Sequence, residues 1–160
     1  MPDSPLDGAG TGFLIADVYR LMRRSMNRRA QHVGLTPEQW RALLHLSRCE
    51  GITQVMLAEQ LEIQPITLAR TLDKLQHNLL IERRTSASDR RAFELFLTPA
   101  AKPVLKQLNA LGQKTRNEAL SGLSQRDLST LARLLETIKQ NLIDAEEPLA
   151  EPPNARGNNP

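Results

Sequence analysis

Apolar residues first recur at helical spacing over about 12–30, where Leu14, Val18, Leu21, Met22 and Met26 share a face, and the spacing predicts a helix ended by Val33 and Gly34. A second helix is predicted from Thr36, because a hydroxyl cap, Pro37 at the first helical position and Gln39 three residues after the cap form a capping-box pattern. Trp40, Leu43, Leu44 and Ser47 then line one face, and Gly51 stops it. A short third helix, capped by Thr53, carries Val55, Leu57, Ala58 and Leu61. After a three-residue turn a fourth runs from Pro65 through Leu79, with Leu68, Leu72, Leu75 and Leu79 predicted to point inward.

The period then changes from helix-like to alternating. Ile81 to Arg84, a polar tip at Thr85 to Asp89, and Ala92 to Leu97 with Phe93, Leu95 and Leu97 alternating predict a hairpin. Thr98 and Pro99 repeat the cap-plus-proline start and open a long helix to about Leu120 through Val104, Leu105, Leu108 and Leu111. Ser124, with Asp127 three residues on, starts the last helix through Leu131, Leu135, Ile138 and Leu142. The expected fold is mainly α with a small β-hairpin wing, a winged helix-turn-helix inserted between N- and C-terminal helices.

That order makes the polar side of the fourth helix the first candidate for function. If its leucines are inward, Gln64, Pro65, Thr67, Arg70, Thr71 and Lys74 are left for a partner; glutamine, threonine and arginine reach base edges in a major groove, and the first turn offers free backbone amides to a phosphate. The hairpin supplies the second part. Arg83 and Arg84 precede the tip, and Ser88, Asp89, Arg90 and Arg91 end it, so guanidinium groups stand where a wing would flank a duplex and enter its minor groove. Asp89 would serve by pinning an arginine fork through charge-assisted hydrogen bonds.

Charge changes the picture by its distribution. The net charge is +3, but the acidic ends, 1–10 and 144–160, conceal a surplus of +8 over 11–143. Both ends are Pro- or Gly-containing and are expected to be disordered tails around one domain at 11–143. The DNA-reading part at about 53–97 holds as many acidic as basic residues, so affinity has to come from placement and from outside it. Much of the surplus lies in the first helix, where Arg20, Arg23, Arg24, Arg28 and Arg29 accompany a single acid, Asp17. Arg20, Arg23 and Arg24 are near one another at this spacing, which suits a carboxylate held bidentately, with Trp40 as an apolar wall.

Other chemistry is excluded or disfavoured. One cysteine, Cys49, rules out an internal disulfide, and His32, His45 and His77 lack partners at metal-ligand spacing, so no metal and no cofactor is expected. No catalytic triad order, paired-carboxylate site or Gly-rich phosphate loop is readable, so the chain is not expected to be an enzyme. No apolar run is long enough for a membrane span and no signal peptide is readable, so a cytoplasmic protein is expected.

The stretch Gln64-Pro65-Ile66-Thr67-Leu68-Ala69-Arg70-Thr71-Leu72-Asp73-Lys74-Leu75, followed by Ala87-Ser88-Asp89-Arg90-Arg91-Ala92 and the Leu97-Thr98 junction, resembles the MarR-type transcriptional regulators, most closely their SlyA branch. The resemblance spans roughly Phe13 to Leu142. It implies a homodimer joined by the terminal helices, at about 12–30 and 98–143, two winged domains reading a pseudo-palindromic double-stranded operator, and regulation by small aromatic carboxylates or phenols. At matching positions it implies that Arg70 contacts bases or phosphate, Arg91 enters the minor groove, Asp89 holds the wing, and Arg20, Arg23 and Trp40 border a ligand crevice. Phe96, where relatives place a basic or polar residue, and Ala100-Ala101 at the helix opening depart from the pattern. Two other functions remain open at this stage: a winged-helix protein-interaction module without sequence-specific DNA binding, and a small-molecule carrier using the arginine-tryptophan crevice.

Overall fold

Thr36 shows why the chain turns where it does. In the computed structural model, which describes residues 8–86 and 92–145, its hydroxyl accepts from the Gln39 backbone N–H at 3.3 Å and the Gln39 amide oxygen accepts from the Thr36 N–H at 3.0 Å. The predicted capping box is therefore built. It ends the loop after α1 (Gly8–His32) and starts α2 (Pro37–Leu46). Thr53 caps α3 (Gln54–Leu61) through its hydroxyl alone, which accepts from Met56 N–H at 3.3 Å. Glu62 then takes a left-handed conformation (φ 51°), and Pro65 opens α4 (Pro65–His77).

The hairpin forms as expected from β2 (Ile81–Thr85) and β3 (Phe93–Leu97), paired antiparallel with Arg83 opposite Leu95 and Arg84 opposite Glu94. The sequence pattern predicted two strands; the structure has a third, β1 (Ile52–Thr53), paired on the other side of β3 with Ile52 opposite Leu95. Two residues are too few to display a period of two, so the alternation could not reveal it. Gly51 makes the turn into it at φ 78°, where its N–H reaches Leu95 O at 2.9 Å.

The chain divides into two units, one through Ala119 and one from Leu120. In the first, Leu43 and Leu46 of α2, Leu57 of α3, Leu68, Leu72 and Leu75 of α4, Ile81 and Leu95 of the sheet and Leu108 of α5 (Ala101–Ala119) form a fully buried aliphatic core. Each contributes about 1.5–3 kcal/mol by leaving water, and together they fix which side of α4 faces outward. α1 joins this core through Met26 and Ala30, and Arg29 ties it to α5 by hydrogen bonding to Thr115 at 3.1 Å and pairing with Glu118 at 2.5 Å.

Four boundaries differ from the sequence reading. α1 was expected from about residue 12, after a disordered tail at 1–10, but it begins at Gly8, inside that stretch. Leu79 was expected in the core, yet α4 ends at His77 and Leu79 adopts φ 58° with 70% of its surface exposed. Thr98 was expected to cap the long helix, but its hydroxyl donates to the Leu79 carbonyl, locking the exits of α4 and the hairpin together, and α5 begins only at Ala101. α2 ends at Leu46, five residues before the expected stop at Gly51.

The second unit contains α6 (Gln125–Ala145), begun by a reciprocal cap: Ser124 Oγ accepts from Asp127 N–H at 3.2 Å and Asp127 Oδ2 accepts from Ser124 N–H at 3.1 Å. No residue of α6 is buried, and Leu131, Leu134, Leu135, Ile138 and Leu142 form an exposed apolar stripe on it.

Candidate nucleic-acid interface

Burial of Leu68, Leu72 and Leu75 leaves Gln64, Pro65, Thr67, Arg70 and Lys74 exposed on α4. Gln64 makes no side-chain cap bond, Pro65 has no N–H and the Thr67 N–H donates to the Gln64 carbonyl at 2.9 Å, so the Ile66 amide is the first-turn donor left for an acceptor. Arg70 has no acidic partner among the described residues. It and Lys74 border a cavity of about 240 Å³ with Thr36, Glu38 and Gln39 of the α2 start. Thr71 departs from the expected outward set: it is buried, and its hydroxyl donates to the Thr67 carbonyl at 2.9 Å, consuming on its own helix the group that a base would need.

Ile66 was not singled out in the sequence. It is 64% exposed in the first turn of α4, between Pro65 and Thr67, an apolar surface among polar ones. The signal was available: an isoleucine one position off the leucine periodicity has no core to enter.

The wing arginines differ from one another. Arg83 points back toward α4, donating to Asp73 Oδ1 at 2.8 Å and to Gln76 Oε1 at 2.6 Å, so the strand and the helix are joined by a charged strut. Arg84 pairs with Glu82, and its guanidinium lies 4.2 Å from the centre of the Phe96 ring. The aromatic residue that departs from the family pattern is thus the platform on which Arg84 is held. Ser88, Asp89, Arg90 and Arg91 lie outside the described residues. A groove beside the wing is lined by Thr53, Gln54, Val55, Ala92 and Phe93.

The proposed ligand residues are engaged separately. Arg20 pairs with Asp17 at 2.8 Å, Arg23 lies 5.5 Å from the centre of the Tyr19 ring, and Trp40 donates its indole N–H to Asn27 Oδ1 at 3.0 Å. The cavity on this side of α1, about 490 Å³, is lined instead by Arg24, Asn27, Arg28, Gln31 and residues 34–37. No group of His, Cys, Asp and Glu among the described residues could hold a metal ion, and no helix among them is long and apolar enough to cross a membrane.

Residues 35–93 match the MarR family model. Among solved structures, the transcriptional regulator PA3341 is 35% identical, with 84% of this chain and 98% of that one covered at a TM-score of 0.73. A mutant MarR from E. coli complexed with operator DNA is 27% identical over 79% of this chain and 91% of that one, with a TM-score of 0.64. The transcriptional regulator SlyA is 26% identical over 82% of this chain and 92% of that one, with a TM-score of 0.67.

Proposed function

The chain belongs to the MarR family of transcriptional regulators, and from that premise we propose that it acts as a homodimer that binds a pseudo-palindromic site in double-stranded DNA, with residues 11–143 as its working domain and 53–97 as its DNA-reading part. The observation that carries this reading is α4. Its three leucines are fully buried, which turns Gln64, Thr67, Arg70 and Lys74 to solvent on one rigid surface, while the Arg83 strut holds the wing beside them. A major groove accepts such a helix, and these side chains suit base edges and phosphates. The relative solved with operator DNA supports the same use of the fold.

Dimerisation is supported by apolar surface that the protomer leaves uncovered. α1 exposes Phe13, Leu14, Val18 and Tyr19, and α6 exposes its whole leucine-isoleucine stripe. A chain in water covers surfaces of this kind with a partner of matching pattern, and a second copy is the one always present.

The effector part of the proposal is a small aromatic carboxylate that lowers DNA affinity from a site bordered by Arg20, Arg23 and Trp40. Its support is two exposed guanidinium groups on one helix and a half-buried tryptophan, the chain's only one. Binding there has to draw Arg20 from Asp17 and Arg23 from Tyr19, pairs that are weak at such exposed positions.

Binding to mixed genomic DNA fragments, titrated with salt, tests the whole reading. The expected result is a steep fall of affinity with salt together with a small subset of fragments retained at high salt, from which the operator is read. Weak binding that ranks all fragments equally would exclude a sequence-reading regulator. Salicylate should quench Trp40 fluorescence and release the retained DNA together, and Arg20→Gln/Arg23→Gln should remove both effects.

A further inference from the structure

The DNA-reading part is neutral, yet α1 carries five arginines. Three of them are engaged: Arg20 with Asp17, Arg23 with the Tyr19 ring, and Arg29 with Thr115 and Glu118. Arg24 and Arg28 have neither an acidic partner nor an aromatic platform among the described residues, and both are exposed. They stand four residues apart, which places two like charges side by side on the helix. Such a pair is unfavourable until an anion lies between them.

Their surroundings show which side that anion comes from. Arg24 and Arg28 line the 490 Å³ cavity with Asn27 and Gln31, two further hydrogen-bond donors, and its far wall is the start of α2 at Thr36 and Pro37. Thr36 also lines the neighbouring cavity, the one bordered by Thr67, Arg70 and Lys74 of α4. A surface of cationic and amide side chains, interrupted by the Glu38 carboxylate in the first turn of α2, therefore links the outward side of α4 to α1. No carboxylate lines the α1 part of it.

We propose that Arg24 and Arg28 form a backbone-phosphate clamp, an extension of the DNA interface that lies outside the helix-turn-helix and supplies affinity that the neutral reading module lacks. The inference rests on the DNA-binding reading above. Asn27 and Gln31 assist as neutral donors to the same phosphates, although Asn27 already accepts from the Trp40 indole and so is fixed in place. Phosphate contacts carry no sequence information, so the clamp sets register and strength while α4 sets preference.

The test uses the full chain, a duplex selected by it from a random pool, and a mixed-sequence duplex of the same length, with affinity measured from 50 to 300 mM KCl. Arg24→Gln/Arg28→Gln should weaken binding to both duplexes by the same factor and reduce the salt slope by about 0.9 for each arginine lost. The ratio of affinities for the two duplexes should stay as it was. Lys106→Gln/Lys114→Gln removes two charges from α5, at exposed positions lining neither cavity, and should leave the slope unchanged. Both arginines are exposed, so an unchanged thermal midpoint is expected and confirms that the protein is intact.

An unchanged salt slope in the arginine variant, with the parent chain still preferring the selected duplex, overturns the clamp and leaves the regulator reading standing. An unchanged slope accompanied by loss of salicylate binding overturns it too, and assigns the cavity to a small anion. Equal loss of slope in both variants overturns it as well, since general charge would then explain the effect. If the parent chain prefers no duplex at any salt concentration, the DNA reading itself fails and the clamp fails with it.

Discussion

Arg83 on the wing strand and Asp73 on α4 are joined by an ion pair of 2.8 Å, with Gln76 accepting from the same guanidinium. Because the two residues belong to elements that would touch different parts of a duplex, the pair sets the angle between them. The Arg83 side chain is 22% exposed and the Asp73 side chain 65% exposed, so the pair is only partly sheltered from water. Its contribution to folding is therefore of the size of surface pairs, about 0.2–1 kcal/mol, and its larger effect is on orientation.

Asp73→Ala should accordingly weaken binding to the selected duplex while lowering the thermal midpoint only slightly. Removing an acid near DNA favours binding on electrostatic grounds alone, so the two effects oppose each other and the sign is informative. Arg83→Ala should produce a similar loss, and the double variant should lose no more than either single one, since both break the same strut. Tighter binding by Asp73→Ala would show that Asp73 acts merely as a repulsive charge.

Arg70 is exposed, unpaired among the described residues, and positioned by buried leucines on both sides of it in the helix. Arg70→Ala should relax preference at one base position by about 1–3 kcal/mol if the guanidinium reads a guanine. Affinities for a panel of singly substituted duplexes check this. A uniform loss across the panel, with the salt slope lower by about one, reassigns Arg70 to a phosphate.

The sequence showed the helices and the outward residues of α4 because three buried leucines repeat at helical spacing over more than two turns. It showed the capping boxes at Thr36 and Ser124 because their chemistry is local. Part of what escaped it depends on partners distant along the chain, and part on local competition for backbone groups. β1 exists because β3 offers a second edge, which no pattern inside Ile52–Thr53 records. Thr71 looks outward by its type, but the backbone carbonyl one turn earlier was available to its hydroxyl. Leu79 continues the leucine period past a helix that has already ended, so periodicity alone misplaces it. Arg83 and Arg84 look equivalent in sequence, and only the positions of Asp73 and Phe96 separate a strut from a stacked, exposed guanidinium.

The start of α6 carries a pH dependence of known sign. Asp127 accepts from the Ser124 hydroxyl, at 2.6 Å, and from its backbone N–H, and these hydrogen bonds hold the carboxyl below its ordinary value of 3.8. A depressed folded value means that the cap stabilises the helix above the unfolded value and that this stabilisation is lost as pH falls through the folded one. Far-ultraviolet circular dichroism melts of the parent and of Asp127→Asn should therefore differ at pH 6 and converge as pH falls below the ordinary value and through the lowered folded one. A difference that persists unchanged into acid would mean that the carboxylate is not what caps the helix.

The stripe on α6 offers the sharpest test of the dimer. Since no residue of this helix is buried within its own unit, a polar substitution on it leaves no cavity and strands no partner inside the protomer. Ile138 lies in the stripe between Leu135 and Leu142, and Ile138→Glu places a charge where a second copy would seat an apolar surface. A charge buried without a partner at such an interface is costly enough to dissociate the assembly, whereas in a monomer the same glutamate is simply solvated. Sedimentation at micromolar concentration should show a dimer for the parent chain and a monomer for the variant, with helical content retained. Footprints should change in parallel. A dimer presenting two recognition helices protects two half-sites about ten base pairs apart, and the monomer should lose this paired pattern together with most of its affinity. If Ile138→Glu remains dimeric and binds as before, the stripe is not part of the interface; if the parent chain is itself monomeric yet binds tightly, the two-fold reading of the operator is wrong.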